Sequence, residues 1–257
     1  MNSGIRMIVS DLDSTYLKNN KTISDYTKQI TEECRKQGII FVVATARPVR
    51  AVRNSIPNID FDGAVYHNGA VVHFADQLIA NIGIKPETAS KILQSINKDY
   101  RGIKLAVEIE EHIYSNFDVS YYWDGISFTL TDFTDLPLKY ADKIMIEASH
   151  IEELDQYEKY LNEELYIQMS ENTLGIVMNK NASKINGIKM ICEKIEIPLS
   201  HVVSFGDDHN DVSMLRECGI GVAMGNAIRE AKEAADYICD TNDQDGLAKW
   251  IEANILL

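Results

Sequence analysis

Short apolar runs alternate with longer amphipathic segments from the beginning of the chain. Residues 5–10 are rich in strand-forming side chains, residues 24–37 carry helical spacing of apolar positions, and residues 39–44 (IIFVVA) form a second apolar run. Gly38 separates the predicted helix from the second strand. Short, nearly all-apolar strands joined by helices are typical of a parallel sheet covered on both faces. The pattern therefore predicts a doubly wound α/β core of the Rossmann-like kind.

The last third of the chain has the same alternation. It predicts helix 184–194, strand 201–205, helix 211–218, strand 221–223 and helix 227–235. Because each of these strands is short and apolar, we assign the segment to the same core.

Between residues 81 and 179 apolar and polar positions alternate instead. This region predicts helix 87–97, strands 104–110, 112–116 and 143–148, helix 151–162 and two further strands. Alternation is typical of antiparallel sheets with one face in water. We therefore expect a core of residues 1–81 and 180–257 and an inserted α+β cap domain of residues 82–179.

The formal net charge of the 257-residue chain is −14 at pH 7. A protein that follows a nucleic-acid backbone needs clustered Lys and Arg, so we expect no nucleic-acid partner. The same acidity repels phosphorylated small molecules at long range. A phosphate site in this chain therefore needs a local cation, and a metal ion is the obvious candidate.

The cysteines lie far apart, at positions 34, 192, 218 and 239, and form no metal-ligand pattern. We expect them to be reduced core thiols. No apolar run reaches the roughly 18 residues of a membrane span, and the N-terminal residues contain no long apolar leader. These features predict a cytoplasmic protein without a membrane partner, and they leave the oligomeric state open.

Two carboxylates, Asp11 and Asp13, directly follow the first apolar run in MIVSDLDSTYL. Such a pair is costly beside a buried strand unless a divalent cation with oxygen ligands compensates it. One carboxylate can then attack phosphorus, and the other can protonate the leaving oxygen and activate water. A strand end capped by Asp and Ser explains the residues equally well.

Two further groups of polar residues point less strongly to a phosphate site. Thr45, Ala46 and Arg47 follow the second strand, where a hydroxyl and backbone N–H groups suit a phosphoryl oxygen, although a turn before Pro48 is an equal explanation. Lys184 begins a predicted helix, which the helix dipole disfavours unless an anion faces the ammonium. A solvated lysine is the simpler interpretation.

The segment VVSFGDDHNDVSML places Asp207, Asp208, Asn210 and Asp211 after a strand and before a helix. Helix capping explains one of these carboxylates, but not all three. Because ligands bind beyond the carboxyl ends of strands in open α/β sheets, the segment also predicts a cation site.

The four groups, in this order, resemble the haloacid dehalogenase-like superfamily. That family has DxDxT after its first strand, Thr after its second, a later Lys and GDxxND near the end. The local sequences DLDST, ATAR, HNGA, ASK, GDDHNDVSML and GVAMGNA are similar to the Cof-type phosphatase branch, whose cap is of type C2 (IIB). The resemblance covers the core, while the cap matches in position and length.

The resemblance implies roles in phosphoryl transfer. Asp11 corresponds to the nucleophile and Asp13 to the general acid and base. Thr45 corresponds to the hydroxyl that holds the transferring group, with Ala46 in the same phosphate-binding loop. Lys184 corresponds to the cation that orients Asp11 and offsets charge.

The resemblance also implies a Mg²⁺ site. Asp207 corresponds to a direct ligand, Asp211 supports the metal, and Asn210 faces the phosphate and Lys184. Asp208 occupies a variable position and receives no role. The implied metal-binding residues are Asp11, Asp13 (through its backbone carbonyl), Asp207 and Asp211.

Some features stay open at this stage. Ala46 stands where the family commonly has Gly, which restricts the backbone slightly. Residues 121–125 (YYWDG) suit either a stacking surface or, the interpretation we favour, core packing. Asn68 is explained by an Asn-Gly turn or by a place facing the site, and Thr15 by a bracing bond or a direct role.

Together these observations predict a Mg²⁺-dependent phosphatase that acts through an aspartyl phosphate on a small phosphorylated metabolite, such as a sugar phosphate. The same residues also suit a phosphotransferase or phosphomutase, in which another hydroxyl replaces water. A dehalogenase is disfavoured because Asp13 would have no leaving oxygen to protonate. A non-catalytic metabolite-binding regulator is disfavoured because Asp11, Asp13, Lys184 and Asp207 are all present.

Overall fold

The structure is a computed structural model that describes residues 4–55, 60–121, 123, 125–170 and 173–256. Its strands are β1 (Met7–Ser10), β2 (Ile40–Ala44), β3 (Gly63–Tyr66), β4 (Val71–Phe74), β5 (Gln77–Asn81), β6 (Leu105–Ile109), β7 (His112–Ser115), β8 (Phe128–Leu130), β9 (Lys143–Glu147), β10 (Leu165–Ser170), β11 (Leu174–Asn179), β12 (Val202–Gly206), β13 (Ile220–Ala223) and β14 (Tyr237–Ile238). Its α-helices are α1 (Asp25–Lys36), α2 (Val49–Ser55), α3 (Pro86–Asp99), α4 (Asp155–Glu158), α5 (Lys184–Lys194), α6 (Val212–Glu217), α7 (Arg229–Ala234) and α8 (Gly246–Ile251).

The chain divides into two compact units. One comprises residues 1–80 and 183–257, and the other comprises residues 81–182. We call them the two-segment unit and the continuous unit.

The sheet of the two-segment unit has eight strands, in the order β14-β13-β12-β1-β2-β3-β4-β5. The six strands from β14 to β3 run parallel, and β4 pairs antiparallel with β3. The predicted α/β core with a parallel sheet is confirmed, with an antiparallel strand added near one edge.

Both faces of this sheet are covered by apolar side chains. On one face Ile8 of β1 belongs to a buried cluster with Ile30 of α1 and Ile251 of α8. On the other face Met7 and Val9 belong to a cluster that includes Ile188 of α5 and Met214 of α6. Successive residues of β1 point to opposite faces, so a strand covered on both sides must be apolar throughout.

Serine caps fix the start of two helices that position the site. The side chains of Ser24 and Ser183 each accept a hydrogen bond from the backbone N–H three residues further on, which begins α1 and α5. Gly187 of α5 lies so close to β3 that an added Cβ would stand 2.5 Å from a methyl group of Val65. The close approach therefore requires glycine at this position.

The continuous unit holds a six-stranded sheet in the order β10-β11-β9-β6-β7-β8, antiparallel except for the β7–β8 pair. Helix α3 packs on it through Ile92, Leu93 and Ile96. The predicted antiparallel α+β module is confirmed. The expectation of one wet face fails for β6, where all five residues are buried, because four of its five side chains are apolar.

One predicted helix of the continuous unit is wrong. Residues 151–162 contain a 3-10 turn (Ile151–Glu153) and the four-residue α4 instead of a long helix. Leu154 and Tyr157 are buried, but neither short element has a side-chain cap among the described residues, so no such side chain accepts from the free N–H groups of its first turn. The other elements predicted with bounds begin and end within two residues of the observed ones.

The cysteines are free, and Cys34, Cys192 and Cys218 are buried as predicted, while Cys239 is half-buried. Among the described residues, no helix has the length and apolar character that crossing a bilayer requires.

Candidate active site

Three predicted site segments emerge at one edge of the parallel sheet. β1 lies between β12 and β2, and Ser10 is in register with Phe205 on one side and Val43 on the other. The chain leaves these strands at Asp11, Asp207 and Thr45, all at the carboxyl end of the sheet. Parallel pairing therefore brings together residues that are almost two hundred positions apart.

Lys184 lies at the centre of the cluster and is almost completely buried. Its Nζ donates to Asp11 Oδ1 and to Asp211 Oδ1, both at 2.6 Å. Burial alone would lower the pKa of this ammonium, but the two carboxylates outweigh that effect and raise it. The anions that a lysine at a helix start requires are therefore present.

Asp211 has both carboxylate oxygens engaged. Oδ1 accepts from Lys184, and Oδ2 accepts from the backbone N–H groups of Asp207 and Asp208 at 2.9 and 3.1 Å. Asp211 is fully buried and so fixes the loop that carries Asp207. This geometry favours the supporting role over direct metal ligation.

Asp207 is half-buried, and its Oδ1 accepts a 2.9 Å hydrogen bond from Thr15 Oγ1. Burial raises the pKa of Asp207 to about 6, against the hydrogen bond from Thr15, which lowers it. Thr15 thus braces Asp207, which resolves the open question about this threonine in favour of a bracing bond.

The cluster fits a divalent cation. Asp11, Asp207 and Asp211 offer oxygen atoms within 4.8 Å of one another, and when all three are ionised Lys184 supplies one positive charge against three negative ones. Burial raises the pKa of Asp11 to about 8, with Lys184 opposing and Asp211 adding to the rise. A hard cation of charge +2 would neutralise the cluster, and an all-oxygen donor set suits Mg²⁺.

Asp13 takes part in a second charged group. Arg47 donates to both of its oxygens, from Nε at 2.7 Å and from Nη2 at 2.6 Å, and Lys21 Nζ lies 2.7 Å from Oδ1. Partial burial alone would raise the pKa of Asp13, but the hydrogen bonds from Arg47 and Lys21 hold it below its ordinary value. The carboxylate is therefore ionised and tightly held in this arrangement.

The predicted phosphate-binding residues take different places. Thr45 is buried and its Oγ1 accepts from the backbone N–H of Arg47 at 3.1 Å, whereas Ala46 is exposed. Asn210 is exposed and donates to Asn68 Oδ1 at 2.9 Å. Asn210 was predicted to face the phosphate and Lys184. In the structure its side-chain amide donates to Asn68.

Sequence reasoning assigned no individual role to Arg47 or Lys21. The signal for Arg47 was its place directly after Thr45 and Ala46, at a strand end that already carried a predicted phosphate loop. No feature of the sequence pointed to Lys21, because its contact with Asp13 forms only in the folded chain. The YYWDG stretch lies partly outside the described residues, so its role stays a prediction.

Comparisons with known proteins found similar sequences and structures. A family model described as haloacid dehalogenase-like hydrolase matches residues 8–251. The phosphatase YcsE of Bacillus subtilis, named for 5-amino-6-(5-phospho-D-ribitylamino)uracil, is 28% identical, with 98% of this chain and 96% of that protein covered.

Two solved structures extend the likeness to three dimensions. A haloacid dehalogenase-like hydrolase from Bacteroides thetaiotaomicron has a TM-score of 0.83 at 25% identity, covering 97% of this chain and 99% of its own. A sugar phosphatase of subclass IIB has a TM-score of 0.78 at 25% identity, covering 98% and 100%. The family model and these relatives support the prediction of a phosphomonoester hydrolase.

Proposed function

This chain belongs to the haloacid dehalogenase-like hydrolases, and from that premise we propose that it is a Mg²⁺-dependent phosphatase that acts through an aspartyl phosphate on Asp11. The observation that carries the proposal is the cluster of Asp11, Asp207 and Asp211 around the buried Lys184. An arrangement with this excess of negative charge suits a site built to receive a cation and, with it, a phosphate.

In the first step Asp11 attacks the phosphorus of a phosphomonoester, and the bond to the leaving oxygen breaks. Lys184 orients Asp11 Oδ1 and offsets its charge. Thr45 and the N–H groups of its loop, including that of Ala46, hold the transferring oxygens, and Asn210 lies at the same edge to contact the phosphate.

Asp13 acts as the general acid in the first step and as the general base in the second. It gives a proton to the leaving oxygen and then takes one from the water that hydrolyses the aspartyl phosphate. Because Arg47 and Lys21 hold the carboxylate ionised here, the proton-donating step requires the Arg47 contact to open. The ionised Asp13 carboxylate is in the state needed for the second step, in which it accepts a proton from water.

Asp207, Asp11 and the backbone carbonyl of Asp13 would hold Mg²⁺, with Asp211 fixing the Asp207 loop. When bound, the ion neutralises charge on the transferring phosphoryl group.

We propose that the substrate is a small metabolite phosphorylated on a hydroxyl group of a sugar or sugar alcohol. The names of two relatives support this class, since one is a sugar phosphatase and the other acts on a phosphorylated ribityl chain. We propose that the continuous unit is the cap domain and that it selects among the substrates of this class.

A screen of phosphorylated metabolites, with free phosphate measured in the presence of Mg²⁺ or of a chelator, tests the proposal. We expect phosphate release from at least one sugar or polyol phosphate, in step with substrate loss and abolished by the chelator. Transfer of phosphate to another hydroxyl without release would indicate a phosphotransferase or mutase. Binding without turnover would indicate a regulatory protein.

A further inference from the structure

The turn that carries Asp13 and Thr15 has an unusual backbone. Ser14, between them, has φ 59° and ψ 9°, and Asp13 is extended at φ −75° and ψ 128°. A left-handed residue other than glycine is sterically costly and persists only where its surroundings hold it. Backbone hydrogen bonds among residues 11–17 close the turn from within, and side chains outside the turn add to this hold.

Two asparagines far along the chain contact this turn. Asn226 Nδ2 donates to the carbonyl of Ser14 at 2.8 Å, and Asn242 Nδ2 donates to the carbonyl of Leu17 at 3.0 Å. Asn226 Oδ1 in turn accepts from the backbone N–H of Asn242 at 3.0 Å. We call this linked pair, Asn226 and Asn242, the amide clamp.

The loop that carries Asn226 is itself tied to the metal-site loop. The backbone N–H of Ile228 donates to the carbonyl of Asp207 at 2.9 Å, and the N–H of Met224 donates to the carbonyl of Gly206 at 3.0 Å. Asn242 is 5% exposed, so its amide groups are bound to protein rather than to bulk water. The clamp therefore anchors the turn to the same backbone that positions Asp207.

We propose that the amide clamp positions the catalytic turn, so that Asn226 and Asn242 act on turnover through Asp13 and Thr15 without touching the substrate. With Ser14 left-handed, Asp13 on one side of it contacts Arg47 and Thr15 on the other side contacts Asp207. The catalytic consequence rests on the proposed function, whereas the hold on the turn is a property of the fold.

Asn226→Asp tests the clamp. The new carboxylate keeps an acceptor for the N–H of Asn242 but replaces the donor to Ser14 with a group that repels its carbonyl. Because Asn226 is exposed, we expect the variant to fold. Asn254→Asp is the matched control, since Asn254 is also exposed in the same unit and its Nδ2 likewise donates to a backbone carbonyl, that of Trp250.

Two readouts separate the clamp from general stability. Hydrogen exchange measured by mass spectrometry should be faster over residues 12–17 in Asn226→Asp and unchanged in Asn254→Asp. With p-nitrophenyl phosphate and Mg²⁺, kcat should fall by about tenfold or more while KM changes less than about twofold, since misplaced catalytic groups affect turnover more than binding.

Unchanged exchange over residues 12–17 would overturn the proposal, and so would faster exchange with an unchanged kcat. A wild-type protein that hydrolyses no phosphomonoester would contradict the proposed function instead. In that case the exchange comparison alone decides whether the clamp holds the turn.

Discussion

The two units of the chain differ in how their buried carboxylates are compensated. In the two-segment unit, the strands of the parallel sheet are apolar on both faces, and the acids collect beyond the strand ends around one buried cation. Partly exposed ion pairs occur in both units, such as Lys189–Glu217 in the two-segment unit and Lys104–Glu147 in the continuous unit. In the continuous unit the buried Glu108 pairs with a half-buried cation, Lys143. A sheet covered on both faces leaves only its ends for polar chemistry, and the charges concentrate there.

The sharpest test of this contrast compares one buried carboxylate from each unit, Asp11 and Asp142. Asp11→Asn should lower kcat by more than about a thousandfold, because the amide cannot attack phosphorus. Circular dichroism should show an unchanged fold. Asp142→Asn should retain wild-type kcat with the same substrate.

Activity in Asp11→Asn within tenfold of wild type would contradict the aspartyl-phosphate mechanism. Loss of activity in Asp142→Asn would show that the chemistry is shared between the units rather than concentrated in one.

The second test removes one cation from each unit. Lys184→Met leaves Asp11 and Asp211 buried without their partner, so the free energy of unfolding should fall by about 3–5 kcal/mol. Lys104→Met breaks a pair whose side chains are more than a third exposed, and should cost at most about 1 kcal/mol. Denaturant unfolding of both variants measures the difference. Equal losses would remove the distinction between the two charge arrangements.

The third test uses the raised pKa values at the candidate metal site. Burial raises the pKa of Asp207 to about 6 and that of Asp11 to about 8, so protons compete with the cation below these values. Mg²⁺ affinity measured by calorimetry should therefore fall about tenfold or more between pH 8 and pH 5.5, with proton release on binding. Asp142→Asn serves as the unaffected control, and an affinity independent of pH would contradict this assignment of ligands.

The smallest effect concerns the continuous unit. Burial raises the pKa of Asp142 to about 7, against a hydrogen bond from Asn81, while an unfolded aspartate has a pKa of about 3.9. Between these values the folded state keeps a proton that the unfolded chain releases, so Asp142 lowers stability as pH rises toward 7.

Asp142→Asn should therefore raise the free energy of unfolding at pH 8 by on the order of 1–3 kcal/mol and change it little at pH 4. Thermal unfolding at the two pH values measures this. A variant less stable than wild type at pH 8 would show that the ionised carboxylate is stabilising.

The sequence alone predicted those helices and strands that depend on the periodicity of apolar residues and on local capping. Helix α5 has the predicted bounds because its serine cap and apolar stripe are local features. The helix predicted over residues 151–162 was wrong although its apolar residues Leu154 and Tyr157 are buried, and the two short elements found there have no side-chain cap among the described residues.

For the candidate site, sequence order was enough to place Asp11, Thr45 and Asp207 at strand ends. The bonds from Thr15 to Asp207 and from Arg47 to Asp13 join residues 192 and 34 positions apart, and depend on how neighbouring loops cross. Such contacts follow from sheet order, which spacing along the chain does not reveal. The same holds for the amide clamp.

The central place of β1 has a consequence for the order of events on the ribosome. β1 is made before both of its neighbours, one of which, β12, is added only at residues 202–206, and Lys184 follows Asp11 by 173 positions. The continuous unit has all of its residues once position 182 has been synthesised. The nascent chain can therefore complete this unit while β1 still has an open edge and Asp11 has no counter-charge. β1 would thus remain unpaired along one edge until β12 has been synthesised.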